Sequence, residues 1–332
     1  MRPRISELDT IMVRVLVALS WLLSAFAGSL RAETWPARPI KLVVPFSAGG
    51  SADTLGRVFA RVLSEALNQQ VYVENRPGAG GVTASAQVAR AEPDGYTLLV
   101  SGVASHAIAP ALNANVGYDP VRDFTHIAYL GGPAIVWVVH PSLHVRTIAE
   151  LLELIRKSPT PVSYGSPGSG TQGHLIVAYL AQKLALPMQH VPYKGAGPAM
   201  FDIVAGHVKI GSVTWTTALS HIQSGAVVPI AVTAEHRLPD YPDVPTFKEL
   251  GYPELVATTW FSISGPQGMP RDVVDRLNRS FVTALDHPEV RDLLRQEGIG
   301  VIPMDADAFA RFVETEVARW APIVKSSAAK PE

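Results

Sequence analysis

Two stretches of this sequence put hydroxyl side chains and glycine at the point where a strand hands over to a helix. The first is Ser47-Ala48-Gly49-Gly50-Ser51, which follows the apolar run Ile40–Phe46. The second is Ser166-Pro167-Gly168-Ser169-Gly170-Thr171, which follows Val162–Tyr164. A turn that feeds a helix N-terminus offers several backbone N–H groups with no acceptor, together with the positive end of the helix dipole. Such a turn holds an anion. Glycine leaves no Cβ to block close approach to the backbone. Hydroxyls at strand ends sit where open α/β sheets bind their ligands. A single turn of this kind is as easily an ordinary connection. Two that echo each other favour a small-anion site.

The segment Gly168-Ser169-Gly170-Thr171-Gln172-Gly173 is also a G-x-G-x-x-G, the fingerprint of dinucleotide binding. That chemistry needs an acid about 20 residues on for the ribose hydroxyls. Here the next strand reads Met188-Gln189-His190-Val191-Pro192-Tyr193 and carries none, so a nicotinamide enzyme is set aside. Nucleophilic sets are thin, with no Gly-x-Ser-x-Gly elbow. His140 and His144 have metal-like spacing, but Pro141 disfavours the helix that would put them on one face. They are read as surface residues. His174 is open between capping, packing and ligand contact, and so is His106, just past Ser101–Ser105. Asp53 is read as structural, because a carboxylate aimed at an anion site repels the ligand. Of Trp260 and Phe261, one is a candidate cleft wall.

Strand and helix signals alternate around these turns. Leu55, Val58, Phe59, Val62, Leu63 and Ala66 have the spacing of a helix burying one face. Ser51 is the expected N-cap. Strands are expected at Gln70–Glu74 and Tyr96–Val100, with a helix from Val82 to Ala91 between them. The same order returns at Val162–Tyr164, Thr171–Leu184, Met188–Val191, Pro198–Ala205 and Val208–Ile210. Each half reads strand, Ser/Gly turn, helix, strand, Gly-Ala-Gly turn, helix, strand, Ser. This internal echo implies an α/β fold of two similar lobes, each a mostly parallel sheet flanked by helices. Strands at Phe124–Leu130 and Ile135–Val139, and an extended stretch Val256–Ser264, suggest two crossings between lobes. Helices at Val273–Leu285, Pro288–Glu297 and Ala306–Val324 end the chain, the last capped by Asp305. Periodicity does not say which lobe they join.

Composition narrows the partners. Lys plus Arg is 28 and Asp plus Glu is 29, a net charge of −1, so the basic excess of a phosphate-backbone binder is missing and no nucleic acid partner is expected. The absence of Cys excludes disulfides, thiolate metal sites and catalytic thiols. No cofactor or metal is expected. At the N-terminus, Arg2, Arg4 and Arg14 precede the apolar Val15–Ala27, which is too short to span a membrane. Residues 1–32 are therefore expected to be a signal peptide, cleaved after Ala27 or Ala32, with Met12 as an alternative start.

As a set, several motifs resemble one family. They are Val43-Val44-Pro45-Phe46-Ser47-Ala48-Gly49-Gly50-Ser51-Ala52-Asp53, Val73-Glu74-Asn75-Arg76-Pro77-Gly78-Ala79-Gly80-Gly81, Pro93-Asp94-Gly95-Tyr96-Thr97-Leu98 and Val191-Pro192-Tyr193-Lys194-Gly195. The chain is similar to the Bug family, the extracytoplasmic solute receptors of tripartite tricarboxylate transporters. The resemblance implies a two-lobed periplasmic binding protein of type II-like build. Lobe one would hold 33–132 plus 255–332, and lobe two 133–254, with a ligand cleft between them. It implies that Ser47, Ala48, Gly49, Gly50 and Ser51, with Ser166, Gly168, Ser169, Gly170 and Thr171, hold a ligand carboxylate. Ser101, Ser105, His174, Tyr193, Thr214 and Phe261 complete the expected site. The implied partners are a small organic acid and the membrane permease subunits, and the receptor is expected to be a monomer in the periplasm. The alternative is an exported α/β enzyme using the same cleft. Where many members carry a polar or acidic pair, this chain has Val213-Thr214-Trp215. A ligand without a charged amine is therefore expected, its body resting on those apolar side chains.

Overall fold

The computed structural model describes residues 35–326 apart from 114 and 297. The expected signal peptide lies outside the described residues. From Arg38 onward the chain clusters as one compact unit.

The first lobe begins with β1 (Ile40–Val44), α1 (Ser51–Leu67), β2 (Val71–Asn75), α2 (Val82–Val88) and β3 (Thr97–Gly102). A π-helical stretch, Ala104–Ile108, runs on into α3 (Ala109–Leu112), and β4 (Phe124–Gly131) follows. The second lobe is β5 (Ile135–Val139), α4 (Ile148–Lys157), β6 (Val162–Ser166), α5 (Gln172–Lys183), β7 (Met188–Pro192), α6 (Ala196–Val204), β8 (Ile210–Thr214), α7 (Trp215–Gln223) and β9 (Val228–Val232). The chain then returns as β10 (Phe261–Pro266), α8 (Arg271–Ala284), α9 (Pro288–Gln296) and α10 (Ala306–Ser326).

Each lobe is built on a five-stranded sheet, ordered β2-β1-β3-β10-β4 in the first and β7-β6-β8-β5-β9 in the second. The pairings β1–β2, β1–β3, β6–β7 and β6–β8 are parallel. β10 is antiparallel to both its neighbours, and so is β5. Four strands of each sheet thus point one way, with one reversed strand inserted. The two sheets repeat the same plan, and the reversed strand in each is the one that enters after a crossing. Successive side chains of a strand face opposite sides. Trp137 of β5 accordingly packs in one apolar cluster with Phe247, while Val136 and Val138 join a second with Trp215. Both faces are covered, as expected where helices flank a sheet.

The two crossings lie side by side. Thr259 N donates to Pro133 O at 2.9 Å and Ala134 bridges Thr258. A Cβ on Gly132 would fall 1.8 Å from Thr259 O, so only glycine permits this approach. The C-terminal helices return to the first lobe. Phe281 of α8 meets Phe59 of α1 at 5.7 Å between ring centroids, and Phe309 of α10 packs near Tyr129 of β4. Asp305 caps α10, accepting from Ala308 N at 2.6 Å. α4, α7 and β9 go beyond the sequence expectation. α4 carries a capping box between Thr147 and Glu150, a signature present in the sequence.

Candidate functional site

At the end of β1 the chain turns through Pro45–Gly50 into α1. Gly50 is the N-cap, in extended conformation, and Ser51 is the first helical residue. This corrects the expectation that Ser51 caps the helix: its hydroxyl instead bonds Thr214 in the other lobe. Asp53 organises the loop. Its carboxylate accepts from Gly49 N at 3.1 Å, Arg57 Nε at 3.0 Å and Asn75 Nδ2 at 2.9 Å. Burial alone would raise its pKa, but those hydrogen bonds outweigh burial and hold it below the usual value. Ser47 N donates to Lys194 O at 2.9 Å. A Cβ on Gly197 would lie 2.4 Å from Ala48 O. Ser47, Ala48 and Gly49 therefore form a seam against the second lobe and are not among the cavity-lining residues. Gly50 and Ser51 are, together with Phe46 and Ala52.

The second turn is also held from within. Ser166 Oγ pairs with His190 Nε2 at 2.7 Å and accepts from Gly168 N at 3.2 Å. Gly170 N donates to His174 Nδ1 at 3.1 Å. His174 stacks on His190 with centroids 4.0 Å apart. Burial, then the neighbouring His174, pushes the His190 pKa down to about 3. Thr171 caps α5, accepting from His174 N, and donates to Gly168 O at 2.7 Å. Ser166, Gly168, Ser169, Gly170 and His174 are not among the cavity-lining residues; on this turn those are Pro167, Thr171, Gln172 and Gly173. Tyr193 is also off the cavity, its hydroxyl donating to Asp202 at 2.7 Å.

Ser101, Ser105, Thr214 and Phe261 do line the cavity. Ser101 Oγ bonds Ser262 Oγ and Ser264 Oγ, each at 2.8 Å, and Ser264 reaches His126 Nδ1 at 3.2 Å. Ser105 Oγ lies 3.1 Å from His106 Nδ1. His106 is fully buried, and desolvation with the nearby His126 drives its pKa well below the ordinary value, so the ring is neutral. Val213 and Trp215 are in the second-lobe core. This corrects the expectation that they support the ligand body; from that segment only Thr214 lines the cavity. Trp260 also turns inward, donating to the buried Glu316 at 2.7 Å, while its neighbour Phe261 faces the cavity.

What results is a small cavity walled from both lobes. None of its lining residues is ionisable. The first-turn N–H groups of α1 (Ser51, Ala52) and of α5 (Gln172, Gly173) have no acceptor one turn earlier, and all four residues line it. Two helix starts, one per lobe, therefore open on one neutral space, an arrangement that favours an anion. Gln172 and Thr259 were not legible as site residues. The Gln172 amide donates to Thr258 O at 3.3 Å and accepts from Thr259 Oγ1, tying α5 to the crossing. Its place directly after a capping Thr was the available signal.

The chain from 55 to 328 matches the model of the tripartite tricarboxylate transporter family receptor. It is 33% identical over 322 residues to protein BugT of Bordetella pertussis, covering 96% of this chain and 99% of that one. Among solved structures it is similar to the periplasmic binding protein BugD (34% identity, TM-score 0.85, 90% of this chain and 100% of that one). An R. palustris protein solved with adipate, Rpa4515, is similar to the same degree (32% identity, TM-score 0.85, 90% and 100%). With two matching lobes and a family match over most of its length, this chain belongs to the tripartite tricarboxylate transporter receptor family, the Bug-type periplasmic solute-binding proteins.

Proposed function

We propose that this receptor captures a small organic carboxylate in the cavity between lobe one (33–132 plus 255–332) and lobe two (133–254). The observation that carries the proposal is the convergence of the α1 and α5 starts on a space with no ionisable side chain. A carboxylate there is met by main-chain N–H groups and the Ser51 and Thr214 hydroxyls, which stabilise negative charge without a paired cation. That the similar R. palustris protein was solved with adipate supports the class. The receptor, exported by residues 1–32, would act as a monomer and deliver its acid to membrane permease subunits.

Calorimetry and thermal shift with mono-, di- and tricarboxylates test the reading. A 1:1 complex of about micromolar Kd, about 8 kcal/mol, is expected. Ligand at about 100 times Kd then stabilises the fold by about 2.7 kcal/mol. The acid is recovered unchanged after incubation. Folded protein that responds to no carboxylate overturns the proposal.

A further inference from the structure

Gln172 starts a helix of the second lobe, lines the cavity, and grips the chain where it returns to the first lobe. We propose that this one side chain joins ligand to hinge, a role that rests on the carboxylate reading above. It donates one amide N–H to a ligand oxygen while its other N–H and its oxygen clasp the return crossing.

Partners fix the orientation of the amide. A glutamine side chain has two N–H donors and one oxygen acceptor. Thr258 O is a carbonyl and can only accept, so the nitrogen faces it, at 3.3 Å. The oxygen then accepts from Thr259 Oγ1. The reverse orientation would set oxygen against oxygen. Two neighbouring residues of the crossing thus hold both ends of one amide.

One N–H is left over. Gln172 is 2% exposed, and the open space beside it is the cavity that it lines with Gly173 and Thr259. A buried donor without an acceptor is costly. A carboxylate in the cavity is acceptor-only, and one of its oxygens answers this donor beside the main-chain N–H groups of the same helix start.

The clasped segment matters because the chain passes between the lobes at these two crossings. Any rotation of one lobe against the other turns about them. Thr259 N donates to Pro133 O at 2.9 Å and Ala134 bridges Thr258, lacing the return crossing to the outgoing one. A side chain that grips this segment and the ligand together links occupancy to the hinge, and such linkage is reciprocal. A firm crossing strengthens capture, and captured ligand makes the crossing open less often.

Calorimetry and hydrogen exchange at the amides of positions 257 and 259 test this on the purified protein. The probe is whichever of benzoate, adipate and citrate binds most tightly. Saturating probe should slow exchange at both amides at least tenfold in the parent. Gln172→Met keeps the length of the side chain and loses both clasping bonds and the spare donor. It should bind the probe at least tenfold more weakly, and at saturation the probe should no longer slow those amides. Thr259→Val removes one clasping bond and keeps both amide N–H groups. It should bind two- to tenfold more weakly with the slowing reduced, and it decides the matter if Gln172→Met fails to fold. An affinity or a slowing equal to the parent's in the deciding variant, or no slowing in the parent, overturns this inference and leaves the carboxylate reading intact. Folded parent that binds none of the three acids overturns the carboxylate reading and this inference with it.

Discussion

Ser51 and Thr214, 163 positions apart, meet hydroxyl to hydroxyl. Thr214 passes the contact to Thr217 at 2.9 Å. Ser51 starts α1 of the first lobe and Thr214 ends β8 of the second, so the bond ties the lobes together beside the cavity both residues line. Thr214→Val removes the link while keeping the shape. One net hydrogen bond predicts carboxylate binding weaker by about two- to tenfold. The Ser51→Ala/Thr214→Val pair should lose less than the sum of the single changes, because each change already removes their shared bond. Fully additive losses in calorimetry would show that the two hydroxyls act separately.

Gly173 is the second residue of α5, and a Cβ there would lie 2.4 Å from Ser212 O in β8. Backbone in a central strand cannot move aside, so Gly173→Ala must push the α5 start away from the cavity. Overpacking of this kind costs about 1–3 kcal/mol of stability. Affinity should fall at least tenfold. Gly300→Ala, with open space around it, is the control and should leave both unchanged. Gly170→Leu acts by another route than sequence alone implies. Gly170 does not line the cavity; it has φ +73°, and its Cβ would meet Leu112 Cδ1 at 2.8 Å. The expected loss of binding then comes from backbone strain and a spoiled contact between lobes. A parent-like melting temperature and affinity for Gly170→Leu would refute that.

Asp53 holds Gly49, Arg57 and Asn75, and Asn75 in turn donates to Phe46 O at 3.0 Å. Asp53→Ala should destabilise the fold by about 2–3 kcal/mol, the loss of several bonds to an ionised carboxylate. The freed Phe46–Gly50 loop should also bind ligand more weakly. Urea denaturation and titration measure the two effects. A variant with parent stability would mean the loop is held by its seam with Lys194–Gly197 alone.

Stability should fall with acid. Burial pushes the His126 pKa down to about 4, against about 6.5 in an unfolded chain. Between those values the unfolded state binds the extra proton, so protonation favours unfolding. The loss begins as pH drops below about 6.5 and reaches about 3 kcal/mol for His126 alone near pH 4. His106 and His190, also depressed by burial, push the same way. Asp53, with its lowered pKa, adds a loss at still lower pH as its carboxylate is protonated. Melting temperatures from pH 7 to 4.5 should show this slope, and His126→Gln should flatten it. An unchanged slope in that variant would place the acid sensitivity elsewhere.

Local chemistry alone determined much of this protein. Apolar periods of two and of 3.6 residues marked most strands and helices, and the repeated Ser/Gly turns marked the two helix starts that open on the cavity. The twofold plan was legible because each half must bury its own sheet. Tertiary structure decided which residues of each turn face the cavity. Ser47, Gly49, Ser166 and Gly170 look like ligand donors from their types. One polar group of each is instead taken by Lys194, Asp53, His190 and His174, partners that lie nearby in space through loop seams, neighbouring strands and a helix turn. Phe46, Val103, Gln172 and Thr259 have nothing in their types to mark them. They became cavity wall only when two sheets closed on each other, because which side of a loop faces inward is set by packing between lobes and not by any pattern along the chain.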